Sequence, residues 1–372
     1  MPIMELTLPP VERYLDAEGE TLKQLPRWTL DHNILIHYYR SMVIARQGDQ
    51  KAVALQRTGK MGTYPSSLGQ EAVSAVCGSL LQNDDVFVPY YRDLPALMQR
   101  GIPLSDIMLY WGGDERGSSS PAWRKDLPNC VPIATQAGHA AGIATSFKVR
   151  HNAGEVMPVT LCTLGDGATS KGDFCEALNL AGVWQLPVVY VVVNNQWAIS
   201  VPRKIQSGAP TLAQKGLAAG LPSIQVDGND VIALHQIIGE AIERARQGKG
   251  STVIEAITYR LSDHTTADDA SRYRNSEELK EGWSKEPVKR LRNFLRHKGL
   301  WNEQDEQQLK AEADKIVEDA VKTYLNTSLP TIDDLFDYHY ANTPTDLEAQ
   351  KQQAIIRASN QPVTNTTGGN HS

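Results

Sequence analysis

Residues Val188–Val193 read VVYVVV, an unbroken apolar run made almost entirely of β-branched side chains. Such a run shows no polar alternation and is too short for an ordinary helix, which is the pattern of a strand buried on both faces. Val159–Leu164, Val86–Val88, Ser223–Val226 and Val253–Ile257 read as further strands. Helical patterns lie between them, at Ala134–Val149, Asp173–Gln185 and the amphipathic stretch Val231–Gln247. Continuous strands joined by helices predict an α/β fold with a mostly parallel sheet and helices on both faces. Ligands of such sheets bind in the crevice outside the carboxyl ends of the strands.

Around this unit, residues 1–28 are irregular and contain proline, as expected of an arm that packs on a partner. A helix is expected from Thr29, with Leu35, Tyr39, Met42 and Val43 on its apolar face and Gly48 as a weak point. Residues 259–275 are polar and charged, and long ordered loops of this kind are usually functional. Two charged C-terminal helices, at about 276–299 and 303–325, complete an α/β domain spanning 29–330. The tail, 331–372, becomes rich in Gln, Asn and Thr, and disorder is expected at its end.

The formal net charge of −6 argues against binding a nucleic-acid backbone. The first residues have neither a basic start nor an apolar run, and no stretch approaches the roughly 20 apolar residues of a membrane span. These features lead to the expectation of a cytoplasmic protein. The cysteines Cys77, Cys130, Cys162 and Cys175 form no CxxC pair and are expected to be reduced core residues.

Two short motifs follow strands directly. Gly165-Asp166-Gly167 follows Val159–Leu164, and Asn194-Asn195 follows Val188–Val193. From Asp166 to Asn195 is 29 residues, the length of one crossover helix and one strand. Adjacent parallel strands would deliver a carboxylate and an amide oxygen to one sheet edge. Those are hard ligands suited to Mg²⁺, which completes its octahedron with phosphate oxygens and water. The glycines allow close approach of a diphosphate, and a helix with Thr169 and Ser170 near its start would turn its N-terminus to that anion. Gly-Asp-Gly alone is also ordinary turn chemistry; the asparagine pair at this spacing adds the specificity.

The stretch GDGATSKGDFCEALNLAGVWQLPVVYVVVNNQWAIS resembles the thiamine diphosphate motif of a known family. That family is the alpha subunits of the decarboxylating first components of 2-oxoacid dehydrogenase complexes. The resemblance runs over about residues 30–325 and includes RTGKMGTYPSSLGQEA, VPYYRD, GGDERG, PIATQAGHAAGIA, VDGND and YRLSDHTTADDASRYR in the family's order. It implies the thiamine diphosphate-binding fold.

By this resemblance Asp166 and Asn195 are Mg²⁺ ligands through their side chains, and Trp197 through its backbone carbonyl. Tyr91 and Arg92 match the pair at the cofactor diphosphate, with Gly165, Gly167 and Ala168 beside it; Val193 stands where one branch has arginine. Ile133 matches the apolar wedge that holds the cofactor bent, and His264 the loop histidine that contacts cofactor and acts in catalysis. Arg260, Arg272 and Arg274, with Asp268 and Asp269, are expected to order the His264 loop once cofactor is bound.

Thiamine chemistry also needs a carboxylate beside the aminopyrimidine ring. The chain offers no second α/β unit to carry it. The resemblance implies a separate beta subunit, an assembly of two alpha and two beta subunits, and transfer of the acyl group to the lipoyl domain of a dihydrolipoamide acyltransferase. GGDERG and YYRDLPALM look closest to pyruvate-using bacterial members, whose complexes yield acetyl-CoA. NNQWAIS and VDGND are also similar to branched-chain 2-oxoacid members, and acetoin cleavage is a third possibility. A reading from a different class is a non-catalytic phosphate- or nucleotide-binding regulatory protein on a doubly wound sheet.

Overall fold

The computed structural model describes residues 10–119, 126–152, 154–337 and 339–360. Its strands are β1 (Val86–Val88), β2 (Thr160–Gly165), β3 (Val188–Asn194), β4 (Trp197–Ala198), β5 (Val201–Pro202), β6 (Ser223–Asp227) and β7 (Thr252–Ile257). Five of them form one sheet in the order β1-β2-β3-β7-β6, every pair parallel, while β4 and β5 make a small antiparallel pair. The expected strands are all present.

The helices α1 (His32–Arg57) and α2 (Glu71–Leu80) precede β1, and α3 (Leu94–Gln99), α4 (Leu104–Trp111) and α5 (Thr135–Arg150) lie between β1 and β2. After β2 come α6 (Gly172–Trp184), the short α7 (Arg203–Gln206) and α8 (Gln214–Ala218), and α9 (Val231–Arg246). The C-terminal region adds α10 (Ser276–Ser284), α11 (Pro287–His297), α12 (Glu303–Asn326), α13 (Ile332–Phe336) and α14 (Thr345–Asn360).

The valine run explains why helices cover both faces. Val189, Val191 and Val193 of β3 join the cluster formed with α1, α2, α9 and α11. Val188, Tyr190 and Val192 point the other way, into the cluster formed with α5 and α6. Successive side chains alternate across a strand, so a strand covered twice must be apolar at every position. Each of these buried side chains contributes about 1.5–3 kcal/mol of gross burial energy.

Asp85, immediately before β1, is wholly buried and pairs with Arg246 at the end of α9 at 2.7 Å. It also accepts the Val159 N–H at 2.8 Å, so one carboxylate ties the amino ends of β1 and β2 to a covering helix.

The arm expected to pack on a partner packs, over its described part, on this chain's own sheet. Glu12 N–H donates to Gln225 O and Asp227 N–H to Glu12 O, each at 3.0 Å, which pairs the arm with edge strand β6. Asp230 Oδ2 accepts from the N–H groups of Tyr14 and Leu15 at 2.6 and 2.7 Å, and Leu15 is buried. An otherwise open strand edge is thereby covered.

Other expectations change locally. α1 runs through Gly48 unbroken, with the glycine buried against Leu104 and Leu94. The helix expected at 276–299 is two helices, because Pro287 begins α11 and Glu286 caps it by accepting from Val288 and Lys289 N–H groups. Only Cys77 and Cys162 are core residues; Cys130 is half-buried and Cys175 exposed, and all four are free thiols.

The chain divides into two compact units, Met1–Tyr324 and Leu325–Ser372. In the second, Lys351 of α14 bridges Asp333 and Asp337 at 2.8 and 2.5 Å. The expected disorder at the extreme C-terminus falls on 361–372, outside the described residues. Among the described residues no helix is long and apolar enough to cross a membrane.

Candidate functional site

The strand ends converge as the parallel register requires. Gly165 pairs with Val193 and Asn194 with Ile257, so the segments after β2, β3 and β7 leave the same edge side by side. They enclose a cavity of about 190 Å³. Tyr91, Arg92, Ile133, Gly165, Asp166, Gly167, Ala168, Asn195, Trp197 and His264 all line it. The structure thus brings these ten residues, expected at the metal and cofactor, to one place.

Asp166 is almost wholly buried, and its Oδ2 has no hydrogen-bond partner. Burial pushes its carboxyl up to about 6, against the pull of the N–H groups of Asp166 and Gly167 and of Arg260 and Arg203. Asn195 Oδ1 accepts from Trp197 N–H at 3.2 Å, and Trp197 O accepts from Arg260 Nη1 at 3.2 Å. Each oxygen keeps a lone pair. A buried carboxylate with an orphaned oxygen, one amide oxygen and one peptide oxygen fit a hard divalent cation that takes its remaining ligands from phosphate and water. No cluster of three His, Cys, Asp or Glu occurs among the described residues, as expected of a set holding one acid.

The helix expected to aim its N-terminus at the anion starts further on. A 3-10 turn, Asp166–Ser170, follows β2, and α6 begins at Gly172 after Lys171. Thr169 donates its hydroxyl to Asp166 O at 2.8 Å, closing the turn, and Ser170 donates to Gln206 O at 3.3 Å. The peptide N–H groups nearest the cavity therefore belong to the turn. A Cβ on Gly167 would stand 2.9 Å from that of Ala198, so the bare backbone of the turn packs on the Ala198 methyl group.

On the opposite wall, Arg92 is buried and donates Nη1 to Ser66 O and Nη2 to His264 O, both at 2.6 Å. Arg92 thereby braces the His264 loop. His264 is held down to about 4 by its burial first, then by Arg92 and Arg260, and is neutral at pH 7. Tyr91 meets the His264 ring edge-on with centroids 6.4 Å apart.

The loop is held by partners that charge alone did not identify. Arg260 is fully buried and donates to the carbonyls of Trp197 and Ile199 and to Tyr273 Oη. Tyr273 in turn donates to Asp268, which also accepts His264 N–H at 2.8 Å. Arg274 donates to the carbonyls of Arg260 and Ser262. Arg272, by contrast, is exposed and meets only Asp269, at 3.6 Å.

Several contributors carried no local signal. Asp49, in the middle of α1, accepts from Tyr64 Oη, Ser66 Oγ, Ser67 N and Ser67 Oγ. Tyr64 then exchanges two 3.0 Å hydrogen bonds with Thr266. Ile199 and Ala134, both on the cavity wall, hold φ of 57° and 67°; the first is a strained value for a β-branched residue. A larger cavity of about 460 Å³ lies between the arm and α10, but Arg290 there is already paired with Asp227 at 2.8 Å.

Fold and site together define an α/β protein with a crevice lined by Asp166, Asn195, Arg92 and His264 at the carboxyl ends of parallel strands. Residues 39–332 match the model of the dehydrogenase E1 component family. The chain is 39% identical to the pyruvate dehydrogenase E1 component subunit alpha of Acholeplasma laidlawii, over 91% of this chain and 97% of that one. It is 38% identical to the 3-methyl-2-oxobutanoate dehydrogenase subunit alpha of Mycobacterium tuberculosis, over 94% and 95%. The pyruvate dehydrogenase E1 component subunit alpha of Staphylococcus epidermidis is 38% identical over 90% of each chain. The chain belongs to the dehydrogenase E1 component family, and is therefore part of an oxidoreductase.

Proposed function

We propose that this chain is the alpha subunit of a pyruvate dehydrogenase decarboxylating component. The observation that carries the reading is the orphaned Asp166 Oδ2, on a residue that lines the same cavity as Asn195, Trp197 and His264. When bound, thiamine diphosphate supplies a nucleophilic ring carbon and an electron sink for decarboxylation. Asp166, Asn195 and the Trp197 carbonyl would hold Mg²⁺, which carries the diphosphate. Tyr91, Arg92, Gly165, Gly167 and Ala168 would line that diphosphate, and Ile133 would wedge the middle of the cofactor. Ile133 supports this by lying partly exposed on the cavity wall rather than in the core.

His264 has its Nδ1 3.1 Å from Arg92 Nη2, so its neutral ring carries the proton on Nε2. It would act through its Nε2–H as a hydrogen-bond donor to the substrate carboxylate or the reacting oxygen. The carboxylate that activates the aminopyrimidine would come from a beta subunit, in an assembly of two alpha and two beta chains. The acyl group would pass to the lipoyl domain of an acyltransferase, and the enzyme would be cytoplasmic.

Pyruvate is favoured because relatives named for it match at up to 39% identity. The branched-chain reading is kept because a 3-methyl-2-oxobutanoate dehydrogenase subunit matches nearly as well, at 38%. Co-expression with a beta subunit, followed by turnover of each 2-oxoacid, tests the reading. The isolated chain should be inactive and the assembly should prefer pyruvate. A preference for 3-methyl-2-oxobutanoate would replace the substrate, and decarboxylation by the isolated chain would overturn the subunit assignment.

A further inference from the structure

The geometry points to Gln70 as the residue that orients the Asn195 amide for the cation. This assignment rests on reading Asp166, Asn195 and the Trp197 carbonyl as a metal site. Gln70 sits at the N-cap of α2 and is buried. It makes no contact that its own helix needs, because no side-chain cap hydrogen bond forms there.

The orientation follows from donors whose identity is certain. A backbone N–H can only donate, and that of Trp197 points at Asn195 Oδ1, 3.2 Å away, which decides which end of the amide is oxygen. The Nδ2 end then faces Gln70, whose Oε1 accepts it at 3.2 Å. The Tyr90 hydroxyl donates to the same Oε1 at 2.8 Å. Were the Gln70 amide turned over, its Nε2 would confront Asn195 Nδ2, and two donors would face each other in a buried site. Tyr90, Gln70, Asn195 and the Trp197 backbone thus share one consistent orientation.

In that orientation Asn195 keeps its second Oδ1 lone pair free, and its NH₂ group is occupied by Gln70. Gln70 Nε2 is itself buried without a protein partner. Gln70 therefore uses its oxygen to hold the Asn195 amide. Without the Gln70 oxygen, the Asn195 NH₂ loses its acceptor and the Trp197 N–H alone opposes a turn of that NH₂ toward the cation, which would repel it. Gln70 is a positioning residue acting through Asn195, like the outer partners that orient ligands at metal centres.

The test uses the chain assembled with its beta subunit. It reads the Mg²⁺ concentration giving half-maximal quenching of tryptophan fluorescence by thiamine diphosphate, together with the unfolding midpoint of the ligand-free assembly. Gln70→Met should raise half-saturating Mg²⁺ roughly 10–100-fold. Gln70→Glu keeps an acceptor oxygen and should restore it to within about threefold of the unaltered protein. Tyr90→Phe, which removes one anchor of Gln70, should give a smaller rise in the same direction.

An unchanged Mg²⁺ requirement in Gln70→Met overturns the proposal, as does equal impairment of the Met and Glu variants. Should Gln70→Met not assemble, Tyr90→Phe decides, and no rise there overturns it. Asp166→Asn separates the two levels of inference. If it too leaves the Mg²⁺ requirement unchanged, the metal site is wrong; an effect at Asp166 without one at Gln70 removes only the role of Gln70.

Discussion

Arg92 grips His264 at two atoms, donating Nη2 to the histidine's carbonyl oxygen at 2.6 Å while lying 3.1 Å from its Nδ1. A guanidinium has no lone pair to offer, so Nδ1 must be the acceptor and the ring proton must sit on Nε2. One contact fixes the position of the loop, the tautomer of its histidine and, with burial, its charge.

His264 should accordingly titrate near pH 4 in the folded, ligand-free chain, followed by the imidazole C–H signals in NMR. Arg92→Met should move the midpoint upward. Because the folded value lies below the ordinary 6.5, the folded state binds fewer protons than the unfolded chain between these values. The contribution of neutral His264 to stability is present above pH 6.5 and is lost as pH falls toward 4. His264→Gln should therefore flatten the acid side of the stability curve. A midpoint near 6.5 in the unaltered protein would refute the claim that burial and Arg92 hold His264 neutral.

Asp166→Ala should separate binding from stability. Mg²⁺-dependent binding of thiamine diphosphate should weaken by more than about 100-fold, the upper range seen for groups around a metal. The ligand-free fold should stay within about 1 kcal/mol of the original, because a buried carboxylate with an unpaired oxygen opposes folding. Isothermal calorimetry and urea unfolding read the two quantities. Unimpaired binding would end the motif reading.

Asp49→Ala should act on the His264 loop from α1. It removes the acceptor shared by Tyr64, Ser66 and Ser67, a loss of about 3 kcal/mol for several buried donors left unpaired. Tyr64 and Thr266 are joined backbone to loop, so protease cleavage within 264–275 should accelerate more than cleavage elsewhere. Equal acceleration across the chain would mean a global effect only.

Arg246→Ala offers the converse case. It leaves the wholly buried Asp85 carboxylate without its cation, which should cost about 3–5 kcal/mol in chemical denaturation. The pair lies before β1, at the sheet edge opposite the cavity, so half-saturating Mg²⁺ and cofactor should not change under conditions where the variant is folded. A large change in cofactor affinity would contradict that separation.

The layout of the sheet was legible because it rests on local signals. A twice-covered strand must be apolar throughout, and Val188–Val193 met that condition plainly. Asp166 and Asn195 were legible for a related reason: each stands one or two residues past a strand whose end the sequence marks. Pro287 was an equally local signal that a single helix at 276–299 overlooked. Gln70 lay inside a stretch similar to the family, yet nothing beside it in the chain pointed to Asn195, 125 residues away.

The sequence alone thus determined the α/β class, the strand ends and the hard-oxygen chemistry offered there, since periodicity and residue type are properties of neighbouring residues. The tertiary structure decided which partners control those groups. It placed Arg92 on His264 across 172 residues, joined the Asn195 amide to Gln70, and laid the described part of the arm on β6 of its own chain. Such contacts are set by how whole elements pack, and burial gives them their force: water is excluded, so each polar group must find the partner that the fold brings to it.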